Sequence, residues 1–172
     1  MIVKQYIKDF EKLGFGMFVH FGIYSVLGKG EWAKKLLSIS DEEYYKLCDE
    51  FRPAPDWAER LAAEAERAGC GYITLTARHH DGYSLYDTCG LNPLDAPHTC
   101  GRDLVREFVD ACRRHGILPF FYHTLLDWHE ESYRTDFKAY LKYLRKSVEL
   151  LCTNYGKIGG LWFDGMWDRL DE

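Results

Sequence analysis

The 172-residue sequence has no run of about 18 apolar residues, which excludes a membrane-spanning helix. Its start, Met1 to Asp9, lacks the apolar centre of a secretory leader. A soluble, cytoplasmic protein with no membrane partner is the expectation. Nor is there a basic block: the net charge is −5, with both signs mixed along the chain. No segment could neutralise a row of phosphates, so nucleic acid is not an expected partner. The six cysteines (Cys48, Cys70, Cys89, Cys100, Cys112 and Cys152) contain no CxxC pair, which excludes a zinc knuckle or a dithiol redox motif. They read as reduced thiols, Cys70 and Cys112 as small buried residues in or beside helices. Cys89, His98 and Cys100 could meet a metal together with His79 or His80, but their spacing fits no standard ligand set. Neither metal nor cofactor is expected.

What the chain does have is core material for one domain across residues 1–172: 47% of its residues are hydrophobic and 16% aromatic. Four apolar runs end in polar chemistry: Phe15 to Gly22, Tyr72 to Gly82, Ile117 to His123, and Leu161-Trp162-Phe163-Asp164-Gly165. Amphipathic stretches fill the intervals. Asp56 to Gly69 predicts a helix with an aspartate N-cap and a terminating glycine, and Asp103 to Gly116 repeats that scheme. A longer pattern from about Ser132 to Tyr155 carries Phe137, Tyr140, Leu141, Leu144, Val148 and Leu151.

Strands apolar on both faces and separated by helices predict a parallel sheet with right-handed crossovers. Polar groups at the C-terminal strand ends are the layout of a (β/α)8 TIM barrel, in which catalytic residues stand at that end. Such a barrel takes about 250 residues. The expected fold is therefore α/β, a partial barrel of about four βα units, with first and fourth strand edges able to promote self-association.

The residues that can carry chemistry collect at those strand ends. Asp164 supplies a carboxylate before a flexible glycine. His79 and His80, turned into one site, could donate hydrogen bonds to vicinal sugar hydroxyls. Tyr24, Trp32, Tyr122, Trp128, Trp162 and Trp167 fall where the apolar face of a pyranose could stack, beside His20, Glu31 and the histidine pair.

Four stretches together resemble glycoside hydrolase family 29, the α-L-fucosidases: Phe15 to Val26 continuing to Gly30-Glu31-Trp32; Leu75 to Tyr83; Tyr122 to Trp128; and Leu161 to Gly165. With Glu43-Tyr44-Tyr45, Phe51 and Gly101-Arg102-Asp103-Leu104, they follow the family's order over nearly the whole chain, as the N-terminal half of the catalytic barrel. The resemblance implies that Asp164 is the nucleophile of a retaining glycosidase, and that His20, Glu31, Trp32, His79, His80, Tyr122 and Trp162 line a pocket for fucose on a fucosylated oligosaccharide or glycoside. Family members commonly carry His-Trp-Gly where this chain has His20-Phe21-Gly22, lysine where it has Arg78, and Tyr-Tyr-Ser where it has Tyr122-His123-Thr124. These changes keep the polar positions. The family's general acid, a glutamate of the later barrel half, is expected outside this chain; Glu130 and Glu131 read as loop residues. Three other readings compete: a fucose-binding barrel fragment without turnover, a metal-dependent hydrolase built on His20, His79 and His80, and a structural fragment with no present activity.

Overall fold

Each apolar run forms a strand in the computed structural model, which describes residues 3–167. The strands are β1 Gly16–Val19, β2 Tyr72–Arg78, β3 Leu118–Thr124 and β4 Gly160–Asp164. They pair in parallel in the order β1-β2-β3-β4. Parallel neighbours need long crossovers, and the intervening helices supply them. This is the expected α/β partial-barrel arrangement, with β1 and β4 at the edges of the sheet.

Register decides what each face carries. Phe18 lies opposite Thr74, Thr74 opposite Phe120, and Phe120 opposite Gly160, so these four share one level. Side chains alternate along a strand. The even-numbered positions of β1 to β3 therefore make one face, while Ile73, Leu75 and Phe121 on the other are fully buried with Leu104, Val105 and Phe108. On the first face two glycines make room for rings. A Cβ on Gly16 would stand 2.1 Å from the Tyr72 ring, and one on Gly160 2.9 Å from the Phe120 ring. Phe10 of an unexpected N-terminal helix, α1 (Gln5–Glu11), packs on both rings at 5.4 and 5.8 Å.

The interval between β1 and β2 is more broken than its amphipathic pattern suggests. A 3-10 turn (Ile23–Val26) precedes α2 (Ala33–Leu36), α3 (Asp41–Tyr44) and α4 (Leu47–Glu50). Next comes α5 (Trp57–Arg67), whose expected Asp56 side-chain cap is not made. Asp56 has φ −102° and ψ 11°, not the extended backbone from which a capping side chain reaches the first turn. After β2 and the short α6 (Ala96–Cys100) comes α7 (Leu104–Arg114). There the aspartate does cap: Asp103 is extended and accepts from Arg106 N at 2.9 Å. Ala58, Ala62 and Ala111 let α5 and α7 approach closely, and Trp57 Nε1 donates to Glu107 across the seam at 2.8 Å.

The single helix expected over Ser132–Tyr155 is two, α8 (Ser132–Thr135) and α9 (Phe137–Asn154). Asp136 leaves helical geometry, and its carboxylate accepts from Ala139 N to start the second. The buried stripe of α9 runs through Tyr140, Ser147, Leu150 and Leu151. Leu141, Leu144 and Val148, expected on that stripe, lie one row around the helix. They line an open groove with Leu125 and Phe163. Cys70 and Cys112 are buried as expected. No helix among the described residues is long and apolar enough to cross a membrane.

Candidate active site

A break in strand register creates the polar end of the sheet. Thr76 pairs with Tyr122, but the next pair is Arg78 with His123, so one extra residue enters β2. Such an insertion re-aims the chain. Arg78 turns away to the helix side, where its guanidinium meets Asp127 at 2.5 Å and lies 4.8 Å from the Tyr143 ring. Both charges are almost fully buried. Burial opposes the Arg78 charge, but Asp127 and the nearby tyrosines outweigh it and the guanidinium pKa is raised. Asp127 also accepts from His129 N and Glu130 N, at 2.9 and 2.8 Å. The ion pair thus pins the loop after β3. Trp128 N in that loop donates to the His80 carbonyl at 2.8 Å.

Above the break, His79 and His80 gather with their rings 4.2 Å apart. His79 lies parallel to Tyr122 at 5.5 Å and edge-on to His20 at 5.4 Å. Burial pushes His79 down to about 2, with the His80 and His20 rings adding to the effect. His80 is pushed down to about 4 by burial, partly offset by Asp164 and more distant carboxylates. Both rings are neutral at pH 7. His79 Nδ1 is buried with no hydrogen-bond partner, the state of a group that a ligand could satisfy.

Asp164 ends β4, and its side chain is 40% exposed. Tyr122 donates to its Oδ2 at 3.0 Å, and Gly165 N donates to Oδ1 at 2.8 Å. His80 Nε2 stands 3.9 Å from Oδ2. The carboxylate is therefore oriented by two donors yet open to solvent. Gly165 has φ +90°, and a Cβ there would come within 2.9 Å of His80 and 2.7 Å of Leu126. Burial and the adjacent carboxylate raise the Tyr122 pKa, so the phenol remains a donor.

Aromatic walls surround this carboxylate. Trp32 is edge-on to His80 at 5.2 Å and stacks with Trp167 at 6.1 Å. Trp162, on the same face as Tyr122, meets Phe18 edge-on at 5.6 Å and is 58% exposed. Glu31 is half-buried on this side, where its charge acts on Tyr24, Tyr122 and His80. Not every aromatic residue expected to stack is open. Tyr24 is buried with its hydroxyl 3.1 Å from Thr76, Trp128 is buried against Trp32 and His80, and the Tyr122 ring is buried with only its hydroxyl in play. Core packing claims these rings and leaves Trp32, Trp162 and Trp167 for a ligand face.

The groups considered for a metal fall into two sets: the His20, His79 and His80 rings pack together at the site, while His98 lies elsewhere. His98 is paired with Asp95 at 2.6 Å, and no three His, Cys, Asp or Glu side chains among the described residues are arranged to hold an ion. Glu130 bonds Ser132 at the start of α8. Sequence reasoning missed Thr124, Asp127 and Phe18. Thr124 and Asp127 lie inside a stretch already singled out, but nothing in their spacing announced their partners.

A parallel sheet with an oriented carboxylate, a phenol and neutral imidazoles at its C-terminal strand ends defines a barrel-type site for polar small-molecule chemistry. Residues 3–172 match the family model described as alpha-L-fucosidase, and the chain belongs to that family. It is 33% identical to tissue alpha-L-fucosidase of Bos taurus, covering 94% of this chain and 40% of the relative, and 30% identical to that of Rattus norvegicus, covering 95% and 40%. Among solved structures, alpha-L-fucosidase isoenzyme 1 from Paenibacillus thiaminolyticus superposes with a TM-score of 0.86 at 36% identity, over 93% of this chain and 42% of that one. A GH29 alpha-L-fucosidase from Bacteroides thetaiotaomicron gives 0.90 at 27%, over 96% and 42%. The chain thus spans about two-fifths of the length of these relatives.

Proposed function

We propose that this chain carries the nucleophile and the sugar pocket of a retaining α-L-fucosidase, releasing terminal α-L-fucose through a covalent glycosyl ester on Asp164. The observation that supports it most is the Asp164 carboxylate, held by Tyr122 and Gly165 yet open toward rings that suit a sugar. A nucleophile of this kind must be oriented, unpaired with a cation and reachable. A structure of the Bacteroides thetaiotaomicron enzyme, similar at a TM-score of 0.88 and 27% identity, is of a trapped covalent intermediate with 2-fluoro-fucosyl fluoride.

In this reading Asp164 attacks the anomeric carbon as the glycosidic bond breaks, and water later opens the ester. His20, Glu31, His79 and His80 bind hydroxyls, Trp32 and Trp162 face the ring, and tightening of those bonds as the ring flattens stabilises the oxocarbenium-like transition state. Tyr122 orients the carboxylate. The acid that protonates the leaving group, about 5 Å from the nucleophile in a retaining pair, is assigned outside residues 3–167. Glu31 belongs to the sugar and Glu130 to Ser132.

The test is mass spectrometry of the protein after exposure to 2-fluoro-fucosyl fluoride. A single fluorofucosyl adduct on the peptide containing Asp164, absent in Asp164→Ala, is expected. Labelling elsewhere, or equal labelling of Asp164→Ala, would overturn the assignment. With an aryl α-L-fucoside, whose leaving group needs little protonation, Asp164→Ala should lose about 10⁴-fold in rate, roughly 5.5 kcal/mol of barrier.

A further inference from the structure

Thr124 ends β3 one strand away from Asp164 and is fully buried. Its Oγ1 lies 2.7 Å from His80 Nδ1, and its hydroxyl donates to the Leu126 carbonyl. A carbonyl oxygen can only accept, so the single hydroxyl proton is committed there and Thr124 must accept from His80. The proton of the neutral ring therefore sits on Nδ1. Nε2 is left with a bare lone pair, 3.9 Å from Asp164 Oδ2. Two acceptors at that spacing do not bond each other, but each can take the hydrogen of a hydroxyl placed beside them.

Thr124 is itself held fast. Its carbonyl accepts from His123 Nδ1 at 2.7 Å, and His123 Nε2 lies 2.7 Å from Ser147 Oγ on α9. Since the Thr124 carbonyl cannot donate, His123 too carries its proton on Nδ1 and takes the Ser147 hydroxyl at Nε2. Two neutral imidazoles with determined tautomers thus flank one threonine.

We propose that Thr124 is a positioning residue that locks His80 in the Nδ1–H tautomer, so that Nε2 accepts a hydrogen bond from a ligand hydroxyl next to Asp164. This replaces the expectation that both histidines donate. It makes His80 a selector for a hydroxyl that can give up a hydrogen, because an ether or other pure acceptor would face a lone pair. The proposal rests on the sugar reading for its ligand, but the tautomer itself does not.

The experiment is long-range ¹H–¹⁵N correlation of the histidine rings in this chain at pH 7, with Thr124→Val and Thr124→Ser, before and after addition of L-fucose. Wild type and Thr124→Ser should show His80 Nε2 as an unprotonated, pyridine-type nitrogen. Thr124→Val should move proton occupancy onto Nε2. L-Fucose should shift Nε2 toward the hydrogen-bonded position in wild type and bind about tenfold more weakly to Thr124→Val, the loss expected for one hydrogen bond. A protonated Nε2 in wild type, which decides the matter even should Thr124→Val fail to fold, or an unchanged tautomer in folded Thr124→Val, overturns the lock. Tautomers as stated with no response to L-fucose would support the lock and count against the fucose reading, so the two fail separately.

Discussion

The two faces of the sheet are built by alternate residues of the same strands, yet they do different work. On the helix-covered face Ile73, Leu75 and Phe121 are fully buried, and Arg78 and His123 find partners on the following loop and on α9. On the other face Phe18 is 43% and Trp162 58% exposed, and the organised chemistry is confined to its upper end. Burying a large apolar side chain contributes about 1.5–3 kcal/mol. The covered face therefore holds most of the stability, while the upper end of the open one holds the groups of the candidate site. Substitution of Phe121 should act on unfolding, and substitution of Asp164 or Trp162 on binding and turnover.

Acid should give the largest effect, since it acts on three imidazoles of the polar layer at once. His79, His80 and His123 are held at about 2, 4 and 3, below the ordinary 6.5, in each case chiefly by burial. Between those values and 6.5 the unfolded chain binds more protons than the folded one, so their contribution is full above 6.5 and is lost as pH falls. Asp81, pushed up to about 6 by burial, works the other way: between 3.8 and 6 the folded state holds its extra proton. Burial also raises Asp103 and lowers His129, one added to each side, so the imidazoles still outnumber the carboxyls. The urea midpoint should fall steadily from pH 6.5 to pH 4; a flat or rising midpoint would show that the rings are not buried as described.

Arg78→Met comes next, stranding Asp127 without its cation, and should cost about 3–5 kcal/mol in denaturant unfolding. Phe121→Ala on the same face should cost a similar amount, about 3–5 kcal/mol, whereas Trp162→Ala on the open face should stay within about 0.5 kcal/mol. Equal losses for these two would erase the contrast between the faces. Gly160→Ala should cost about 1–3 kcal/mol, because the added methyl meets the Phe120 ring. Asp103→Ala should remove about 1–3 kcal/mol, because it loses both the N-cap and the acceptor of the buried Tyr155 hydroxyl. Asp56→Ala, whose side chain makes no cap bond, should move the midpoint very little.

Much of this architecture was legible in the residues. Continuous apolar runs located the four strands, helical periodicity with glycine stops located α5 and α7, and polar groups after each strand marked the functional end. The site was legible at the level of residue type: Asp164, His79, His80, Tyr122 and Trp32 do come together. Less visible was how each is used. Tyr24 and Trp128 carry the same rings as Trp162, but tertiary packing closes over them. Leu141 and Leu144 fit the helical repeat as well as Tyr140, yet the stripe that meets the sheet is Tyr140, Ser147 and Leu151, two of them polar.

What the sequence by itself determined is therefore the order and type of elements and the end of the sheet at which polar residues gather, because those follow from local periodicity and from where apolar runs stop. The folded structure alone decided the extra residue in β2 that turns Arg78 away from His79, the burial that keeps the imidazoles neutral, and the threonine that sets where a proton sits on His80. Each of these depends on groups from different strands meeting at hydrogen-bond distance away from water, and no spacing along a single chain encodes that encounter.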